Sequence, residues 1–182
     1  MAGDALLSYA PKLIIDKSDI SDKAKLEIIR EFCIAAGVDG IIAGQIVDID
    51  SEHKQISAET LDYLHEYKTA KLFVLAVNAG SIIAGANEKQ KAQLERFAIL
   101  FGHAFQIYDD ILDEIATLEE LGKTPGKDAN AHKATYTAIY GLEQAKEKVK
   151  QLSKQCCDIL INNNMNSIIL EGIISDITER IS

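Results

Sequence analysis

Phe105-Gln106-Ile107-Tyr108-Asp109-Asp110-Ile111-Leu112-Asp113-Glu114 sets three carboxylates into what otherwise reads as an apolar, core-facing helix. In a helix, Asp109 and Asp113 stand one turn apart and Asp110 lies three residues from Asp113, so all three can project to one side. Like charges so placed repel, and desolvation beside Phe105, Ile107, Ile111 and Leu112 adds a second cost. A hard divalent cation removes both. Magnesium suits the arrangement because it takes one or two carboxylates, keeps several waters and completes its shell from substrate phosphates. The stretch therefore predicts a helix that carries a diphosphate or nucleotide site.

Outward from this segment the chain also reads as helical. Only two prolines occur, Pro11 and Pro125, and no sustained alternation of apolar and polar residues marks a strand, so the fold class is all-α. Pro11 marks a break after a short apolar opening through Ala10. From Ser21 to Ile49, Leu26, Ile29, Cys33, Ala36, Gly40 and Gly44 recur at helical spacing. Glycines 37, 40 and 44 would weaken an exposed helix by roughly 1 kcal/mol each, so close approach by a neighbouring helix or ligand is their expected compensation. Ser57 opens a third helix through Ala79, and Asn87-Glu88 a fourth through Leu112. Gly122 to His132 reads as a loop, and Thr135 to Leu160 and Ser167 to Ile181 as two further helices split by Asn162-Asn163-Asn164. One domain spanning residues 1–182 is expected.

Composition narrows the function. The 182 residues are 47% hydrophobic and 26% charged, ordinary for a globular chain able to bury a core. A net charge of −9 disfavours nucleic-acid binding. Cys33, Cys156 and Cys157 form no metal-type spacing, which suggests reduced thiols and a cytoplasmic location. The uninterrupted apolar runs are too short for a membrane span and no signal peptide is evident, so a soluble protein is expected.

Several polar groups gain meaning beside a metal and phosphates. Lys68-Thr69 interrupts an apolar helix, where a buried ammonium needs an anion that a diphosphate would supply. Gln45 and Asp48 stand three residues apart on the glycine-rich helix, and Gln106 lies one turn before Asp110. Lys123, Lys127 and Lys133 gather on the loop after the acidic helix. Each has a plainer explanation when taken singly: solvated aspartates at a helix end, a snorkelling lysine, satisfied core amides, a polar turn. Their conjunction favours a site. The four histidines, His53, His65, His103 and His132, have no paired spacing and read as structural or surface residues. Other motifs fail: Gly126-Lys127 is followed by Asp128 and lacks a preceding strand, so it is no P-loop. No Glu-x-x-His pair suggests a di-iron bundle, and no Gly-x-Ser-x-Gly elbow occurs.

The ordered set Gly44-Gln45-x-x-Asp48, Lys68-Thr69, Gly80 to Ala86, Phe105-Gln106-x-x-Asp109-Asp110-x-x-Asp113 and Gly122-Lys123-x-x-Gly126-x-Asp128 with Lys133-Ala134-Thr135-Tyr136 resembles the C-terminal part of a trans-isoprenyl diphosphate synthase. Bacterial farnesyl (geranyltranstransferase) and geranylgeranyl diphosphate synthases are the most similar variants, and the resemblance runs from Ala2 to Leu142. It implies an antiparallel helix bundle around an apolar cavity. There an allylic diphosphate condenses with isopentenyl diphosphate to a longer trans-prenyl diphosphate, farnesyl diphosphate foremost, with release of diphosphate.

By the same resemblance Asp109, Asp110 and Asp113 bind Mg2+, Asp109 foremost as the direct ligand. Lys68, Lys123 and Lys133 hold the allylic diphosphate, Thr69 and Gln106 with Lys68 face the ionising bond, and the enzyme is a homodimer. The family segment carrying the first aspartate-rich motif and the arginines for isopentenyl diphosphate has no counterpart here. The chain is accordingly expected to be incomplete and by itself nearly inactive. The competing expectation is a non-catalytic helical subunit that partners a prenyl synthase.

Overall fold

The structure is a computed structural model that describes residues 1–119 and 135–179. The expected loop from Gly122 to His132, and with it Lys123 and Lys133, lies outside the described residues. Among the described residues every regular element is helical. In chain order they are α1 (Ala2–Lys17), α2 (Asp22–Ala36), α3 (Ile41–Ser51), α4 (Ala58–Leu64), a π-helical turn (His65–Ala70), α5 (Lys71–Ile83), α6 (Glu88–Glu119), α7 (Tyr136–Tyr140), α8 (Leu142–Asn162) and α9 (Ile168–Glu179).

Helix α6 is the axis of the fold. Phe97, Phe101, Ala104, Ile107, Tyr108 and Ile111 recur along one side of it and are buried. Against them α8 sets Ala145, Val149, Leu152, Cys156 and Leu160, again at helical spacing and buried. Phe73 of α5 meets Phe101 edge-on, with ring centroids 5.0 Å apart. Local chemistry sets the boundaries. The Ser57 hydroxyl accepts from the N–H of Thr60 at the start of α4. Before α6, Asn87 and Gln90 cap reciprocally: each side-chain oxygen accepts the other's backbone N–H at 3.0 Å.

Several expected boundaries move; α6, for one, continues past Leu112 to Glu119. Pro11 lies inside α1 rather than ending it; the helix has no buried residue, so the lost N–H bond and ring displacement are absorbed at a solvent-facing turn. The segment 22–51 is long and apolar enough, by length and composition alone, to cross a membrane. The turn at 37–40 divides it into helices of 15 and 11 residues, and at 1.5 Å per residue neither alone spans a hydrocarbon layer of about 30 Å. Gly141, at φ 82°, separates α7 from α8 where one helix was expected.

The π-helical turn is wedged between two glycines. A Cβ on Gly44 of α3 would stand 2.5 Å from the Lys68 backbone nitrogen and 2.8 Å from its Cα. A Cβ on Gly102 of α6 would lie 2.5 Å from the Cβ of Ala70. Close approach by a neighbouring helix is thus the compensation for Gly44. It brings α3, the turn and α6 to one place, and single π turns within α-helices recur at functional sites.

Candidate active site

A cleft of about 130 Å³ opens where these three elements meet, and Lys68, Thr69, Gln106, Asp109, Asp110 and Asp113 all line it. The six residues expected from the resemblance to bind metal or face the ionising bond, among those described, are therefore gathered there. Gln45 does not line it and is exposed, whereas Asp48, three residues on, faces in. Asp48 forms an ion pair with the half-exposed Lys68 ammonium. The anion that Lys68 requires is thus supplied by the chain itself.

The polar groups behind Lys68 are chained. The Thr69 hydroxyl donates to Gln106 Oε1 at 2.7 Å, and Gln106 Nε2 donates to Asp110 Oδ1 at 3.2 Å. Asp110 Oδ2 accepts the backbone N–H of Tyr136 at 2.7 Å, fastening the first residue of α7 to α6. Asp110 is 7% exposed, while Asp109 and Asp113 are solvent-accessible. Burial pushes the Asp110 carboxyl up to about 6; the bonds from Tyr136 and Gln106 oppose the rise, and the charges of Asp109 and Asp113 add to it.

His65 was expected to be merely structural or superficial, yet it lines the same cleft, buried, with Nε2 3.8 Å from Asp110 Oδ2. Burial, helped by the neighbouring His103, pushes its imidazole down to about 3. It is neutral at pH 7, so the approach to Asp110 is not an ion pair. Its Nδ1 is buried without a hydrogen-bond partner. His65 carried no sequence signal, because the carboxylate it faces lies 45 residues away along the chain, and Asp48 stood out with Gln45 but not as the partner of Lys68, 20 residues on.

The sign of the pH dependence follows. A base whose folded pKa lies below its unfolded value gives stability that is present above pH 6.5 and lost as pH falls toward 3. Asp110 works oppositely: its raised pKa gives stability present below pH 3.8 and lost as pH rises through about 6. Between pH 4 and 6 the two contributions oppose each other, and replacing His65 removes one of them. Urea unfolding of wild type and His65→Asn should show their stability difference shrinking by about 1.4 kcal/mol per pH unit from pH 6 to 4. A constant difference would mean that the imidazole titrates normally in the folded protein.

Residues 1–168 match the sequence pattern of the family described as Polyprenyl synthetase. The chain belongs to the polyprenyl synthetase family. It is 43% identical over 151 residues to the farnesyl diphosphate synthase of Geobacillus stearothermophilus, covering 82% of this chain and 51% of that protein. It is 36% identical over 182 residues to the geranylgeranyl diphosphate synthase of Cyanophora paradoxa, covering 99% and 61%. The solved structure of a geranyltransferase from Helicobacter pylori, complexed with magnesium and isoprenyl diphosphate, superposes with a TM-score of 0.80 at 28% identity over 98% of this chain and 58% of that one. This polyprenyl synthetase chain thus spans about half the length of the curated relatives it matches, and its all-α fold is that of the isoprenyl diphosphate synthases.

The donor set fits magnesium in kind. Among the described residues no three His, Cys, Asp or Glu side chains converge into a ready-made cage, while two accessible carboxylates, Asp109 and Asp113, share a cleft with a lysine. One or two carboxylates, with the remaining positions left to water and phosphate, is the habit of this ion.

Proposed function

We propose that the cleft is one wall of a prenyl-transfer site, in which an allylic diphosphate ionises and isopentenyl diphosphate is added to the resulting cation, with farnesyl diphosphate as the foremost product. The observation that carries this is the placement of Lys68, Thr69 and Gln106 in one cleft with Asp109 and Asp113. Magnesium, held by Asp109 and Asp113, would neutralise charge on the departing diphosphate. Lys68 binds the same diphosphate, joined by Lys123 and Lys133 from outside the described residues. The oxygens of Thr69 and Gln106 face the developing positive charge, as preorganised dipoles must if they are to stabilise a transition state. Ile56, Leu61 and Leu64 line the cleft as well and exclude water that would quench the cation. The Helicobacter pylori geranyltransferase, similar in fold and complexed with magnesium and isoprenyl diphosphate, supports this choice of ligands.

The chain works as a homodimer in this proposal. No residue of α1 is fully buried, Leu6, Leu7 and Ile15 are exposed, and Leu26 of α2 is 70% exposed. Sedimentation velocity should show a dimer that Leu7→Glu with Leu26→Glu converts to monomer; an unchanged dimer would place the interface elsewhere.

Thermal melting tests the ligand proposal on the chain itself. Mg2+ with inorganic pyrophosphate, at about one hundred times the dissociation constant, stabilises the native state by about 2.7 kcal/mol, or roughly 5–10 °C for a chain of this size. Either component alone should do much less. No rise, together with tight association to a separate synthase chain, would instead identify a non-catalytic subunit.

A further inference from the structure

We infer that Asp110 is a positioning residue rather than a magnesium ligand: it fixes the Gln106 amide so that Thr69 must donate to it, which leaves the Thr69 lone pairs for the cleft. An ionised carboxylate only accepts hydrogen bonds. The edge of the Gln106 amide turned toward Asp110 must therefore be the NH2, and the 3.2 Å contact from Nε2 to Oδ1 is that bond. The opposite edge, Oε1, then faces Thr69, whose hydroxyl has one proton and spends it there at 2.7 Å. Thr69 lines the cleft, and with its proton committed the oxygen can offer only lone pairs to what binds there. Were Gln106 flipped, its NH2 would point at Thr69, and the hydroxyl would be free to turn its proton toward the site, with the wrong polarity for a cation.

The second oxygen of Asp110 is equally committed. It accepts the Tyr136 N–H at 2.7 Å, and the carboxylate is buried while Asp109 and Asp113, on the same helix, are open to solvent. A metal taken by Asp110 would have to compete for oxygens that already hold α7 and Gln106; the exposed Asp109 is the more accessible ligand. The hydrogen-bond chain stands on the structure alone, and its consequence for the cation rests on the prenyl-transfer function proposed above.

The test uses the 15N-labelled chain. The Gln106 side-chain NH2 resonances are assigned by their loss in Gln106→Leu, and the Asn78 amide, which donates to Glu31 at 2.9 Å outside the cleft, serves as the control. In Asp110→Asn the single remaining oxygen cannot serve both Gln106 and Tyr136. Hydrogen exchange of the Gln106 amide should speed at least tenfold while that of Asn78 stays within twofold, and the thermal rise with Mg2+ and pyrophosphate should persist to at least half. Asp109→Asn should lose that rise and leave the Gln106 exchange rate alone. Loss of the rise in a folded Asp110→Asn, or an unchanged Gln106 rate, overturns the assignment. Should Asp110→Asn not fold, the wild-type Tyr136 N–H decides: protection kept on adding Mg2+ and pyrophosphate supports it, and a tenfold loss refutes it. Wild type without any thermal rise would count against the prenyl-transfer function, while the Gln106 and Asn78 exchange rates would still decide the role of Asp110.

Discussion

Gly44→Ala should lower the thermal midpoint by roughly 4–8 °C and abolish the stabilisation by Mg2+ and pyrophosphate. A Cβ there would stand 2.5 Å from the Lys68 nitrogen, 2.8 Å from its Cα and 2.8 Å from the Tyr67 carbonyl carbon. All three are backbone atoms, so no rotamer change relieves the clash, and α3 or the π-helical turn has to move. Overpacking that forces backbone to shift typically costs about 1–3 kcal/mol. Alanine returns about 1 kcal/mol of helix propensity, leaving from the upper end of that range a net loss of about 2 kcal/mol, which corresponds to roughly 4–8 °C in a domain of this size. The atoms displaced belong to Lys68 and lie next to Thr69, so the ligand response should fall further than the stability. Gly80→Ala is the matched control: nothing lies within 4 Å of its Cβ position in α5, and alanine there should raise the midpoint slightly. Equal behaviour of the two variants in calorimetry would show that the turn is not wedged against α3.

Gly44 also marks what the sequence can and cannot reveal. Its presence in an apolar helix foretold a close approach, but not by what. The partner is a turn 24 residues onward whose π geometry leaves no mark in residue spacing. Helix α6 was legible because its buried side repeats at 3.6 residues from Phe97 to Ile111 and Asn87-Glu88 marks its start. The break at Gly141 was less so, since a glycine with positive φ looks in sequence like any glycine. Within the site, Lys68, Thr69, Gln106 and the aspartates stood out as polar residues on apolar helices. What spacing could not supply was their division of labour. Asp109 and Asp110 are adjacent carboxylates, yet a rotation of about 100° per residue leaves one in solvent and tucks the other against α7. His65 likewise enters the cleft because the π turn places it there.

Lys68→Met and Asp48→Asn should move ligand binding in opposite directions. Among the described residues lining the cleft, Lys68 is the single cation at neutral pH, because His65 is held neutral by burial. Methionine keeps the length and apolar stem of lysine and removes the charge. Charge-assisted hydrogen bonds to a phosphate contribute about 1.5–3 kcal/mol, so Lys68→Met should weaken pyrophosphate binding in the presence of Mg2+ by about 10- to 100-fold and erase most of the thermal rise. Asp48 competes with that anion, since its carboxylate is paired with the ammonium in the free protein. A diphosphate arriving at Lys68 must either displace Asp48 or accept a negative charge beside it. Asp48→Asn removes the competing charge and should tighten pyrophosphate several-fold by isothermal titration. The pair is partly exposed, so water screens it and its loss should cost little stability. If Asp48→Asn instead weakens binding as far as Lys68→Met does, the carboxylate aims the ammonium at the phosphate rather than competing with it, and the two residues form one recognition unit.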